Sequence, residues 1–288
     1  MGRYLRNQLK EKIVCVICCL SAVFCVLAIL MICWFLFVNG LPAIANIGPA
    51  NFILGKMWKP GNDLYGIFPM IAGSIYITFG AMIVGLPLGL FTAVYMMAFC
   101  PPNIYKILKP LIQLLAGIPS VVYGFFGLVV IVPLVGQLLG NSGKNMVTAS
   151  ILLGIMILPT MISVAEAALK AVPEQYYEGA IALGADHVRS IFFVIVPAAK
   201  SGIVTAMMLS LGRAIGETMA VIMVAGNQAR LPANWTQGVR TMTANIVLEM
   251  GYAADEHRSA LIATAVILLI FILITHLSFA VWSGRKKV

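Results

Sequence analysis

Six predominantly apolar runs, at approximately 13–38, 70–99, 111–135, 146–168, 200–226 and 258–282, follow one another along the 288-residue chain. A helix needs about 20 residues to cross a hydrocarbon layer about 30 Å thick, and each run is long enough. The pattern predicts an all-α integral membrane protein with six transmembrane helices. Ile13 to Val38 holds 26 residues without a charge, well beyond the roughly 7–15 residues of a secretory signal core, so it is expected to remain as the first span. The links 39–69 and 227–257 carry the Asn, Gly, Pro and Trp of water-facing or interfacial segments, and the link 169–199 carries Glu174, Glu178, Asp186, His187 and Arg189. Residues 1–69 form an N-terminal segment, first helix and outer link; residues 70–284 form a core of five helices.

Composition agrees with this reading. The chain is 61% hydrophobic and 10% charged, against about 25% charged in ordinary soluble domains. Its net charge of +9 comes from basic residues scattered singly between apolar runs, which argues against a nucleic-acid surface. With the N-terminus inside, the cytoplasmic segments hold twelve Lys and Arg (Arg3, Arg6, Lys10, Lys12, Lys106, Lys109, Lys170, Arg189, Lys200, Arg285, Lys286, Lys287) and the opposite side six (Lys56, Lys59, Lys144, Arg230, Arg240, Arg258). That bias places both termini in the cytoplasm. Cys15, Cys18, Cys19, Cys25 and Cys33 lie in the first run and Cys100 after the second, with no His nearby; they read as packing residues, and no metal site is expected.

One phrase resists the apolar pattern. GRAIGETMAV, residues 212–221, sets Arg213 and Glu217 inside the fifth run, where each charge costs about 2.5–3.5 kcal/mol at a helix centre on insertion scales. On a continuous helix, Ser210, Arg213 and Glu217 would share a stripe roughly 60° wide. Gly212 and Gly216, four residues apart, would let a neighbouring helix approach. Arg213 offers a planar fork of donors suited to oxyanion oxygens. The alternative is a structural ion pair that never touches a substrate.

Between the fourth and fifth runs lies EGAIALGADHVRSIFFVIVP, residues 178–197. Its spacing predicts a short helix from Glu178, a left-handed stop at Gly184, an N-cap at Asp186 and a closing Pro197. The segment resembles the EAA loop of ABC importer permeases: Glu178, Gly179 and Ala180 stand for the opening triplet, Gly184 for the glycine, and Val194, Val196 and Pro197 for the end. Gly179, and valines in place of Ile and Leu, depart from that pattern. The resemblance implies a type I importer bundle of the MetI-like kind whose loop docks on a cytoplasmic ATPase. The nearest phosphate-loop candidate, GQLLGNSGKN at 136–145, has Leu138 and Asn145 where Gly and Ser or Thr are needed. ATP would therefore be used by a partner, with no cofactor in this chain and no enzymatic site of its own.

LLAGIPSVVYGFFGLVV at 114–130, ILPTMISVAEAALKAVPEQYYEGAIALGA at 157–185 and GRAIGETMAV together are similar to the PstC-type permeases of bacterial phosphate uptake. That resemblance implies a bacterial inner-membrane location and three partners: a second permease of the PstA type, a PstB-type ATPase dimer and an external PstS-type phosphate-binding protein. It also implies phosphate as substrate, with Arg213, Glu217 and Ser210 along the pathway. Arg213 would attract the anion, while Glu217 would hold Arg213 and accept a hydrogen bond from protonated phosphate. Sulfate or molybdate transport, or an ion-driven transporter, remain alternatives. Glu166 is expected at the interface, His276 in packing, and Asp255, Glu256 and His257 in a solvated loop.

Overall fold

The computed structural model describes residues 2–284, with side chains described for 11–279 and 281. Backbone polar groups have no water to bond in a bilayer core, so helices are the default crossing element. Helix α1 (Gly2–Ile47) is followed by a short α2 (Pro49–Leu54). A two-stranded antiparallel hairpin then pairs β1 (Trp58–Lys59) with β2 (Leu64–Tyr65). Helix α3 (Phe68–Val94) runs on through a wide π turn, Tyr95–Phe99. Next come α4 (Pro102–Gly117), α5 (Ser120–Phe126), α6 (Val132–Leu139) and α7 (Met146–Lys170). The link that follows carries α8 (Glu174–Ala182), α9 (His187–Ser190) and α10 (Val196–Ala198). The chain ends with α11 (Lys200–Gly216), α12 (Met219–Val224), α13 (Met242–Glu249) and α14 (Asp255–Gly284).

Among the described residues, five helical stretches are long and apolar enough to cross a membrane: Glu11–Ile47, Phe68–Phe99, Ser120–Leu139, Met146–Lys170 and Asp255–Phe279. A pair bent by 69°, His187–Ala198 with Lys200–Gly216, makes six when taken as one span. Two expected spans differ in detail. The run 111–135 is divided at Ile118, which is extended at φ −69°, ψ 127°, because the residue before a proline disfavours the helical region. The run 200–226 stops at Gly216: Glu217 is extended at φ −68°, ψ 133°, and Thr218 is also non-helical.

The centre of the bundle is α3 packed along α7. A Cβ at Gly85 would stand 2.6 Å from the Ile157 side chain, and one at Gly89 2.6 Å from Met161 Cγ. Their absence is what lets the two helices come so close. Ile77, Ala81, Leu152 and Ile157 form one core with Tyr123 of α5 and Val221 and Val224 of α12. Val94, Met96, Ile112, Met161, Ile195 and Ile203 form a second toward the end that carries α8 and α9. A third, at the opposite end, joins Phe52, Trp58, Ile67, Met242 and Leu261. Helix α1 leans on α14 near Gly40, where a Cβ would lie 2.6 Å from Val266. Elsewhere its apolar side chains, Phe24 and Trp34 among them, are exposed.

Two carboxylates, Glu166 and Glu249, are buried within the protein. Glu166 is 1% exposed: Lys109 Nζ of α4 lies 2.5 Å from its Oε2, while Lys170 Nζ at 2.7 Å and the Tyr105 hydroxyl at 2.6 Å donate to Oε1. Lys170 also stands 4.5 Å above the Tyr105 ring centroid. At the other end, Glu249 receives Arg240 Nη1 at 2.5 Å on Oε1, and Trp58 Nε1 and His257 Nε2, each at 2.8 Å, on Oε2. His257 is thus half-buried and hydrogen-bonded to Glu249 rather than solvated, while Asp255 and Glu256 are exposed as expected. Both sites follow one rule: a carboxylate leaves water only where donors replace its hydration.

Candidate translocation site

Three interruptions of helical hydrogen bonding bring polar groups to the middle of the bundle. Pro159 lies within α7 and has no N–H to continue the ladder; the next residue, Thr160, carries a hydroxyl. The break at Ile118–Pro119 starts α5, and the Tyr123 hydroxyl reaches back 2.8 Å to donate to the Leu115 carbonyl across that break. The break at Glu217–Thr218 leaves Arg213 in the last turn of α11, where the helix dipole favours a cation.

Arg213 Nη1 donates to Thr160 Oγ1 at 3.0 Å, linking α11 to α7. Glu217 does something other than was expected of it. Its Oε1 accepts the Ala220 N–H at 3.2 Å, capping the start of α12, and its carbonyl accepts the Thr243 hydroxyl at 3.1 Å. Among the described residues no ion pair joins Glu217 to Arg213. The single polar stripe of Ser210, Arg213 and Glu217 is therefore not a feature of this helix, since α11 ends before Glu217. Ser210 is fully buried, and its Oγ has no partner among the described residues.

The two glycines also part company. A Cβ at Gly212 would lie 3.0 Å from His276 Nε2 of α14, so Gly212 is a true close-packing position. A Cβ at Gly216 would meet nothing within 4 Å. Sequence reasoning passed over Thr160 and Tyr123, although Thr160 directly follows Pro159 and Tyr123 lies one helical turn after Pro119, a signal available in the sequence. It also passed over α13, whose N-cap Thr241 bonds the Ala244 N–H at 3.2 Å.

The link between α7 and α11 forms the expected helix, turn and helix. The Ala185 N–H bonds the Ala180 carbonyl at 3.0 Å and the Gly184 N–H bonds the Ile181 carbonyl at 2.9 Å, with Gly184 at φ +86°. This is the pairing of a Schellman stop, which requires a left-handed residue where glycine sits. Asp186 Oδ1 then accepts the Arg189 N–H at 2.6 Å. Glu178, Gly179 and Pro197 are exposed and Ala180 is buried. Leu183, at the apex, is 91% exposed, an apolar tip that none of the described residues covers.

Residues 85–288 match the family described as the binding-protein-dependent transport system inner membrane component. The chain belongs to that family. It is 34% identical over 289 residues to the probable ABC transporter permease protein YqgH of Bacillus subtilis, covering 98% of this chain and 93% of that protein. It is 32% identical to the phosphate transport system permease protein PstC of Haemophilus influenzae, with 88% and 85% covered. Among solved structures, an inward-facing MetNI methionine ABC transporter superposes with a TM-score of 0.58 at 19% identity, covering 81% of this chain and all of that one. An alginate-importing bacterial ABC transporter gives 0.58 at 15% identity, covering 92% and 96%. The fold is that of a multi-pass type I importer permease.

Proposed function

We propose that this chain is one permease subunit of an ATP-driven phosphate importer. It forms half of the pathway beside a second, PstA-type permease. A PstB-type ATPase dimer docks on the 178–197 loop, and an external PstS-type protein delivers phosphate. The names of the PstC relatives support the substrate, and the excess of Lys and Arg in the corresponding segments supports a cytoplasmic position for both termini and for that loop. The permease binds and conducts; hydrolysis of ATP belongs to the partner. The core of the machine is 70–284, and 1–69 adds the first helix and its outer link.

The observation that carries this reading is Arg213, partly buried in the last turn of α11 beside a helix break and held by Thr160. Broken helices with an ionisable residue are characteristic of substrate sites in transporters. One N–H of the guanidinium goes to Thr160, and the rest of its fork can serve two oxygens of the anion. Glu217 Oε1 is occupied by the Ala220 N–H, and the other oxygen can accept the hydroxyl proton of protonated phosphate. Fully ionised sulfate has no such proton, so the carboxylate would repel it. Uptake of labelled phosphate into vesicles carrying the assembled complex, with sulfate and molybdate as competitors, tests the assignment. Competition by either at equal concentration would replace phosphate with a broader oxyanion substrate.

A further inference from the structure

The cytoplasmic end of α3 has a gap in its hydrogen bonding that another segment fills. The residues three and four positions after Ala98 are Pro101 and Pro102, and neither has an N–H to offer the Ala98 carbonyl. The carbonyls that close a helix need donors from elsewhere. His187, the first residue of α9, brings its Nε2 within 3.0 Å of the Ala98 oxygen. Its Nδ1 lies 2.9 Å from the Tyr177 hydroxyl on α8. With Nε2 protonated, the ring donates to Ala98 and accepts from Tyr177, so both nitrogens are satisfied at once. The ring is held edge-to-face, 5.0 Å from Phe99 and 5.7 Å from Tyr177. Beside it lies a cavity of about 390 Å³ lined by Ala98, Lys170, Glu174 and Tyr177 among others.

We propose that His187 is a positioning residue that fastens the 178–197 loop to the end of α3, so that displacement of the loop moves α3 as well as α11. The inference rests on the reading of that loop as the ATPase contact. The covalent path from the loop reaches α7 on one side and α11 on the other; α3 lies two links earlier in the chain, and the His187 bridge gives it a direct connection. Because α3 is packed along α7, which carries Thr160, motion delivered to α3 reaches the wall of the candidate site from a second direction.

The test uses the complete complex in proteoliposomes and reads phosphate taken up per ATP hydrolysed. His187→Ala should lower that ratio about threefold, the factor expected from one exposed hydrogen bond at the low end of its range. His187→Gln places an amide N–H near the position of Nε2 and should restore most of the ratio. Tyr177→Phe removes only the hydroxyl on Nδ1 and should lower the ratio about twofold; it carries the test if His187→Ala reduces the amount of assembled complex. A wild-type ratio in His187→Ala, or an equal loss in His187→Gln, overturns the proposal. Gly184→Val separates the two levels. If it uncouples transport while His187→Ala does not, the loop reading stands and the His187 bridge fails; if Gly184→Val leaves the ratio unchanged, the loop reading itself fails.

Discussion

Replacing Glu166 with Gln removes one buried negative charge and turns one of two acceptor oxygens into a donor, with little change in volume. Lys109 and Lys170 then face an amide, with side chains 30% and 47% exposed. Each hydrogen bond to a charged group contributes about 1.5–3 kcal/mol. Three such bonds end on Glu166. The amide oxygen can keep one or two of them, and the half-exposed Lys170 regains water while retaining its bond to Tyr105. The net loss is about 2 kcal/mol. At about 2–4 °C per kcal/mol for a chain of this size class, the apparent melting temperature should fall by about 4–8 °C. The assay is thermal unfolding of detergent-purified protein at fixed protein and detergent concentration. Lys109→Met should be costly alone and cheaper by about 1 kcal/mol when Glu166 is already Gln, because the partner charge is gone. Strict additivity of the two substitutions, or a shift under about 1 °C for Glu166→Gln, would refute the claim that this carboxylate pins α4 to α7.

Arg213→Lys keeps the charge but loses the fork, and is expected to lower phosphate uptake by about tenfold or more with membrane insertion unchanged; uptake and quantitative blotting check both parts. Thr160→Val removes the acceptor for Arg213 Nη1 and should weaken uptake about fivefold, with Thr160→Ser close to wild type. Gly212→Leu drives a side chain into His276 Nε2 and should destabilise the protein by about 1–3 kcal/mol; a Gly216→Ala change, with open space around it, should have a much smaller effect in the same melt. Trp58→Phe withdraws one donor from buried Glu249 and should cost about 1–3 kcal/mol, read by the same thermal unfolding.

The helical class, most of the spans and the turn at Gly184 were legible because each depends on local chemistry. Apolar run length sets a crossing, and a glycine followed at two residues by Asp reads directly as a stop and a new cap. The stripe of Ser210, Arg213 and Glu217 was not legible in this way, because its geometry assumed an unbroken helix. Nothing local in Ile215–Gly216–Glu217–Thr218 forbids one more turn. The break there is held by distant groups, with the Thr243 hydroxyl on the Glu217 carbonyl and α12 packed into the core beside Tyr123.

Sequence alone determined that this chain lives in a membrane, crosses it as helices, carries an arginine in an apolar run at some cost, and presents a short capped loop between two spans. Hydrophobicity and backbone capping are properties of neighbouring residues, so they can be read in order along the chain. Tertiary structure decided which charges have partners. Glu166 meets Lys109 across 57 positions, Trp58 meets Glu249 across 191, Arg213 meets Thr160 across 53, and His187 meets Ala98 across 89. A buried polar group needs a partner within hydrogen-bond reach, but its sequence does not say which helix will supply it. Only the packing of α3, α4, α7 and α11 around one another settles that.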